Sequence, residues 1–389
     1  MTYRIRTLNA ISQVGLSRLP ADEFLVGPQV EDPQALLLRS ASLHGEAIPA
    51  SLLAVARAGA GTNNIPIPDY TARGIPVFNT PGANANAVKE LVVAGIFLAA
   101  RNIVDAAAFA HRLDGDHATM DRLVEAGKKN FVGFELPGRT LGVIGLGAIG
   151  VEVANVAVSL GMNVLGYDPK VTVEHAWQLS AKVERVTALE QLLRRADIVT
   201  IHVPLVEGTR GLIGSAEFRA MRSSAVLINF ARGPIVDEGA LIAALEADEL
   251  RGYVCDFPTP VLNKRPHVVT LPHLGASTGE AEENCARMAA DQLRGYLVDG
   301  TIRNAVNFAG AELPRAENTS RLAIANANVP NMVGQISTMV GEAGLNIADL
   351  LNSSRGELAY TLVDVNGTIP AELVARVKGV DGVLSARAI

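Results

Sequence analysis

The sequence predicts an α/β protein with a doubly wound, Rossmann-type parallel sheet at its centre and a ferredoxin-like βαββαβ unit at its end. Three observations predict it. Apolar strand-like and helix-like runs alternate from about residue 139 to residue 275, as parallel βαβ units require. The first of those units carries Gly145, Gly147 and Gly150 in G-x-G-x-x-G spacing. From residue 320 onward the order is strand, helix, strand, strand, helix, strand.

Composition narrows the function classes. A chain of 389 residues has room for two or three domains, and 49% hydrophobic residues can build a large core. Only 4% are aromatic, so that core is made of Ala, Val, Leu and Ile. Net charge is −6 and no basic run exceeds a pair, which argues against nucleic acid as a partner. Two cysteines, Cys255 and Cys285, give neither a disulfide framework nor metal spacing, and no metal is expected. The N-terminus lacks the apolar core of a signal peptide, and no long uninterrupted apolar run reads as a membrane span. A soluble, cytoplasmic chain with a small-molecule substrate is the expectation.

Residues 1–80 hold three strand candidates, at Ala35–Arg39, Leu53–Arg57 and Gly74–Asn79. Each runs into a small polar or Gly-rich loop, as in an α/β layer whose loops line a cleft. Arg39 is the cation best placed there for an anion, and a plain surface arginine is the competing reading. Residues 84–102 read as one long apolar helix. Lys128-Lys129 reads as a solvated pair.

The glycine unit follows. Thr140–Ile144 suits a buried strand, Val151–Leu160 a helix ended by Gly161, and Met162–Tyr167 a second strand closed by Asp168. Gly145 allows the tight turn, Gly147 lets the backbone approach a pyrophosphate, and Gly150 lets helix and strand pack closely. The phosphates then meet the free N–H groups and dipole at the helix start. Asp168, 18 residues after Gly150, is placed to accept the ribose hydroxyls of NAD and to repel the extra phosphate of NADP.

Further strands are expected at 197–203, 225–230, 252–256 and 267–271. Capping boxes are expected at Thr187–Glu190 and Ser277–Glu280, and an Asp237 cap opens a helix through Glu246. The second box opens a long helix through Val298. Arg232 and His273 both fall just past a strand's carboxyl end, the edge where the cofactor lies. Imidazole titrates near neutral pH, so His273 suits a base for a hydroxyl proton. A guanidinium grips a carboxylate with two prongs, so Arg232 suits the substrate cation. A structural loop histidine is the competing reading for His273. His202, beside Val203 and Pro204, is placed to pack near the adenine.

Leu38-Arg39-Ser40, residues 73–79, Gly145–Gly150, Asn229–Gly233, Leu271–Thr278 and Ala305-Val306-Asn307 together resemble the D-isomer-specific 2-hydroxyacid dehydrogenases. Within that family the chain looks most like the branch that oxidises D-3-phosphoglycerate to 3-phosphohydroxypyruvate at the start of serine biosynthesis. The C-terminal unit resembles an ACT domain, a small-molecule sensor. The resemblance implies a split flavodoxin-like substrate domain (1–80 and 277–316), an NAD-binding domain (81–276) and an ACT-like domain (317–389). It implies NAD contacts at Ala148, Ile149, Asp168, Phe230, Ala231, Arg232, His273, Gly275 and Ala276. It makes His273 the acid/base and Arg232 the substrate cation. It gives Arg39, Ser40 and the amides around Ala60 and Gly61 to the phosphate and carboxylate of 3-phosphoglycerate. Asn326, Asn328 and Asn346 fall on the positions that hold an L-serine effector, and a homodimer or homotetramer is implied.

Two departures stand out. The family's strand before the catalytic histidine continues Asp-Val-Phe-x-x-Glu-Pro, and that Glu orients the histidine. Here the text is Val254-Cys255-Asp256-Phe257-Pro258-Thr259-Pro260, with no Asp or Glu from Phe257 to Pro272. Cys255 stands at the usual Asp place, with Asp256, the expected cofactor contact, beside it. Asn326 also stands where the effector site has a histidine. The alternatives are a reductase for unphosphorylated glyoxylate or hydroxypyruvate and a non-catalytic NAD-binding scaffold.

Overall fold

The computed structural model describes residues 2–389 and divides into two compact units. One comprises the chain through Asn84 together with Gly279–Ile389; the other is Ala85–Thr278.

The first unit opens with β1 (Tyr3–Leu8), β2 (Phe24–Gly27), β3 (Ala35–Leu38), β4 (Ala54–Arg57) and β5 (Val77–Phe78). They form a parallel sheet in the order β2-β1-β3-β4-β5, the flavodoxin-like order. The sequence reading lacked β1 and β2. Arg4 and Arg6 alternate with the buried Ile5 in β1, and β2 is an edge strand that exposes Leu25, so neither shows an apolar run. The helix Gly279–Asp299 packs Cys285, Ala289, Leu293 and Leu297 into the core beside Leu37, Ala54 and Ala56.

The second unit holds β6 (Thr140–Ile144), β7 (Asn163–Tyr167), β8 (Val183–Arg185), β9 (Ile198–Ile201), β10 (Val226–Asn229), β11 (Gly252–Cys255) and β12 (Val268–Thr270). All are parallel, in the order β12-β11-β10-β9-β6-β7-β8. The order reverses between β6 and β9, the crevice where such sheets bind dinucleotides.

Two local expectations fail here. The long helix ends at Ala100 and a second runs from Ile103 to Ala110, bent by 66°. Asn102 takes the left-handed conformation at φ 51° and donates to the Val132 carbonyl, a geometry Asn tolerates better than most residues. The Thr187 capping box does not form. The helix Leu189–Arg195 starts from Ala188 without a side-chain cap, and Glu190 pairs forward with Arg194 at 2.6 Å. Asp237 caps its helix as expected, accepting from the Ala240 amide at 2.8 Å.

The C-terminal residues form β13 (Thr319–Ala327), β14 (Asn346–Arg355), β15 (Leu358–Asn366) and β16 (Val383–Ala388), an antiparallel sheet in the order β14-β15-β13-β16. Leu322, Ile324, Val363 and Val365 face the helices Met332–Glu342 and Ala371–Lys378. Ala323, Ala325, Tyr360 and Leu362 face the other way and share a core with Phe78, Tyr296 and Phe308. The C-terminal residues thus build a small antiparallel-sheet domain of their own, as expected, and it groups with the first unit. The join is also polar. Arg321 and Asp364 form a fully buried two-pronged ion pair, and Arg321 donates further to the carbonyls of Asp299 and Leu313.

Candidate functional site

Strand register gathers the predicted residues of the second unit. Tyr167, Ile144, Ile201, Asn229, Cys255 and Thr270 lie in one row across β7, β6, β9, β10, β11 and β12. The next residue along each chain is Asp168, Gly145, His202, Phe230, Asp256 or Leu271, so the loops carrying the chemistry leave the sheet along one edge.

The glycine turn fits a dinucleotide. Gly145 has φ 91°, and a Cβ there would lie 2.6 Å from the His202 carbonyl oxygen. A Cβ on Gly150 would lie 1.9 Å from the Gly145 carbonyl oxygen. A Cβ on Gly147 would meet nothing within 4 Å, so space is open above the start of the helix Ala148–Ser159. Gly147 caps that helix without a side-chain bond, and Val151 is the first residue to bond back, to Gly147. The amides of Ala148, Ile149 and Gly150 remain for phosphate oxygens. Asp168 points back at this turn, accepting from the amides of Leu146 at 2.9 Å and Lys170 at 2.7 Å. Its remaining lone pairs suit ribose hydroxyls. His202 is anchored at the end of β9, with its Nε2 3.0 Å from the Thr200 hydroxyl, and burial pushes its imidazole down to about 3. It is neutral at any working pH. Val203 packs beside Gly145, and Pro204 is exposed with its carbonyl accepting from Thr209.

Asn229, fully buried at the end of β10, sets the turn that carries Arg232. Its Oδ1 accepts from the Ala231 amide at 3.1 Å, and its Nδ2 donates to the Arg232 carbonyl at 2.9 Å and the Tyr253 hydroxyl at 3.3 Å. Arg232 is half-buried, donates to the Ala231 carbonyl at 2.6 Å, and has no carboxylate partner among the described residues. A half-buried guanidinium without a counter-ion is prepared for an anionic ligand. Phe230 sends its ring into the core, where it would press a Cβ on Gly95 at 3.0 Å, so it offers a ligand only backbone.

Asp256 is buried and spends both oxygens on the loop after His273, accepting from the amides of Leu274 at 2.7 Å and Gly275 at 2.9 Å. His273 is exposed, with φ 56°, and no hydrogen bond to its ring occurs among the described residues. Phe257 lies against it, the ring centroids 5.3 Å apart. Ala276 is half-buried behind this loop. Sequence reasoning missed Asn229 and Phe257. A polar residue ending an apolar strand was the available signal for the first; nothing local distinguishes the second.

In the first unit, Leu8, Leu38 and Arg57 end neighbouring strands in register. Asn9 holds the loop after β3, its Oδ1 accepting from the amides of Ser40 at 3.1 Å and Ala41 at 2.6 Å. Arg39 pairs with Glu282 at 2.7 Å, an exposed ion pair of the weak kind. Arg57, also missed, donates to the carbonyls of Arg39 at 2.9 Å and Gly61 at 2.5 Å. The Ala60 carbonyl accepts from Asn79 at 2.6 Å.

The three C-terminal asparagines are not together. Asn326 is buried, donating to the Ala327 carbonyl at 2.8 Å and accepting from Thr361 at 3.1 Å. Asn328 is exposed and donates to the Gly356 carbonyl. Asn346 lies opposite Asn366, and Asn326 opposite Ala359, so these two occupy opposite ends of the sheet.

A family model for the D-isomer specific 2-hydroxyacid dehydrogenase NAD binding domain matches residues 96–275. The D-3-phosphoglycerate dehydrogenase of Haemophilus influenzae is 34% identical over 375 residues, 92% of this chain and 87% of that protein. That of Archaeoglobus fulgidus is 39% identical over 297 residues, 73% of this chain and 53% of that protein. Among solved structures, the apo D-mandelate dehydrogenase of Rhodotorula graminis is similar with a TM-score of 0.67 at 26% identity, over 80% of this chain and 99% of that one.

Proposed function

The chain belongs to the D-isomer-specific 2-hydroxyacid dehydrogenases, and we propose that it oxidises D-3-phosphoglycerate to 3-phosphohydroxypyruvate with NAD, the entry step of a phosphorylated route to L-serine. One observation carries the choice within the family. The D-3-phosphoglycerate dehydrogenases of Haemophilus influenzae and Archaeoglobus fulgidus are 34% and 39% identical to this chain, whereas the mandelate dehydrogenase is 26% identical.

Bound NAD supplies the acceptor for the hydrogen and electron pair that leave C2. The chain's own groups do the rest. The His273 imidazole takes the proton of the C2 hydroxyl as the carbonyl forms and returns it in reverse. Arg232 holds the carboxylate and steadies the oxygen on which charge develops. In the first unit Arg39, Ser40 and the amides at Ala60 and Gly61 are the groups suited to the phosphate, with Arg39 exchanging Glu282 for it.

Two further assignments belong to this reading. The helix Ile103–Ala110 is apolar yet buries none of its residues, and Val132 is 75% exposed, which supports a dimer covering that face. The separation of Asn326 from Asn346 means that a serine site built from them needs a second copy beside the edge strand β14. A cytoplasmic location accords with a soluble metabolic role; no single helix among the described residues is long and apolar enough to cross a membrane.

Initial rates of NADH formation with D-3-phosphoglycerate and with D-glycerate test the proposal, with L-serine added in a second series. Turnover of the phosphorylated substrate alone supports it. Equal turnover of D-glycerate moves the assignment to an unphosphorylated hydroxyacid, and NADH binding without turnover of either moves it to a scaffold. Sedimentation of Ile103→Asp against the parent chain tests the dimer.

A further inference from the structure

The His273 loop lacks the carboxylate expected to orient the imidazole, and the structure shows what surrounds it instead. Asp256 fixes the backbone by taking the Leu274 and Gly275 amides, which holds His273 at φ 56°. That sets where the side chain leaves the chain but not how the ring is turned. The carboxylate of Glu238 is already engaged, accepting from the Thr259 hydroxyl at 2.6 Å. The same contact anchors the loop that follows Asp256, where the Leu262 amide bonds back to the Thr259 hydroxyl at 3.3 Å.

Phe257 is the group that meets the imidazole. Its ring centroid lies 5.3 Å from that of His273, the planes 57° apart. On its other side it reaches the turn after Arg232, since a Cβ on Gly233 would lie 3.4 Å from the Phe257 Cβ. A tilted ring pair at this spacing restricts the imidazole's rotation.

We propose that Phe257 is the positioning residue for His273, turning the imidazole through ring contact where no carboxylate does so. The inference rests on the reading of His273 as the acid/base group. Phe257→Leu keeps apolar bulk against Gly233 but removes the ring, and Phe257→Tyr restores the ring. Relative to the parent chain, Phe257→Leu should lower kcat about two- to tenfold, the range an aromatic pair supports. The KM for NAD should stay within about twofold because the glycine turn and Asp168 are untouched. Phe257→Tyr should recover most of the rate. The His273 ring-proton resonances, identified by their loss in His273→Gln, should lose their ring-current shift in Phe257→Leu and keep it in Phe257→Tyr.

Full kcat in Phe257→Leu, or equal losses in Leu and Tyr, would overturn the proposal. So would ring protons that do not move. A parent chain inactive on D-3-phosphoglycerate but active on another 2-hydroxyacid refutes the substrate assignment alone, and the series is then read on that substrate. A chain inactive on every 2-hydroxyacid refutes the reading and with it the positioning role, and the resonances report separately whether the ring contact exists.

Discussion

Replacing Arg321 by Met leaves the Asp364 carboxylate alone in the interior. Both side chains are fully buried, joined by contacts of 2.6 and 2.7 Å, and Arg321 also supplies the donors for the Asp299 and Leu313 carbonyls, each at 2.8 Å. Breaking a buried pair costs about 3–5 kcal/mol, because an uncompensated charge stays behind. Two carbonyls losing charge-assisted donors add about 1.5–3 kcal/mol each. The loss is thus at least about 6 kcal/mol, near the lower edge of ordinary domain stability. With a urea slope of about 2 kcal/mol per molar, the midpoint of the first unit falls by about 3 M. Arg321→Met with Asp364→Leu removes both charges and should be the more stable variant, leaving only the carbonyls unpaired. Urea unfolding followed by circular dichroism on all four members of the cycle measures this. A midpoint shift under about 0.5 M in Arg321→Met, or a double variant no better than that single one, would refute the reasoning.

Three other outcomes are expected. Asp168→Ala should weaken NADH binding about 10- to 100-fold and narrow the preference over NADPH, since hydrogen bonds to a charged group contribute about 1.5–3 kcal/mol; fluorescence titration with both cofactors checks it, and a change under about threefold counts against the ribose role. His202, with its folded value near 3 against an ordinary 6.5, contributes stability that is present above pH 6.5 and lost as pH falls toward 3. His202→Gln should therefore flatten that part of the stability curve and leave the rate profile between pH 7 and 9 unaltered, which acid unfolding and initial rates show together. Asn229→Ala unties the Arg232 turn from the strand, so kcat/KM should fall about tenfold or more through poorer substrate anchoring while the KM for NAD moves less, as steady-state kinetics would show.

The sequence by itself determined the central sheet apart from its edge strand β8, the glycine turn, Asp168, and the strand-end positions of Arg232 and His273. These follow from local rules: β-strand runs are apolar where both faces are buried, and a tight turn near phosphates needs glycine at fixed spacing. It also determined the succession of strands and helices along the C-terminal residues, because each element there is bounded by its own Pro, Gly or Asn signals. Tertiary structure decided the rest. β1 stayed hidden because Arg4 and Arg6 lie on its outer positions, and only pairing with β2 and β3 makes it a strand. Asp256 became a brace for the His273 loop because β11 and β12 end side by side, a proximity no spacing rule contains. Asn326 turned inward to Thr361, a partner 35 residues away. The C-terminal sheet joined the first unit because its second face, Ala323, Ala325, Tyr360 and Leu362, is apolar as well, and a sheet apolar on both sides must bury both.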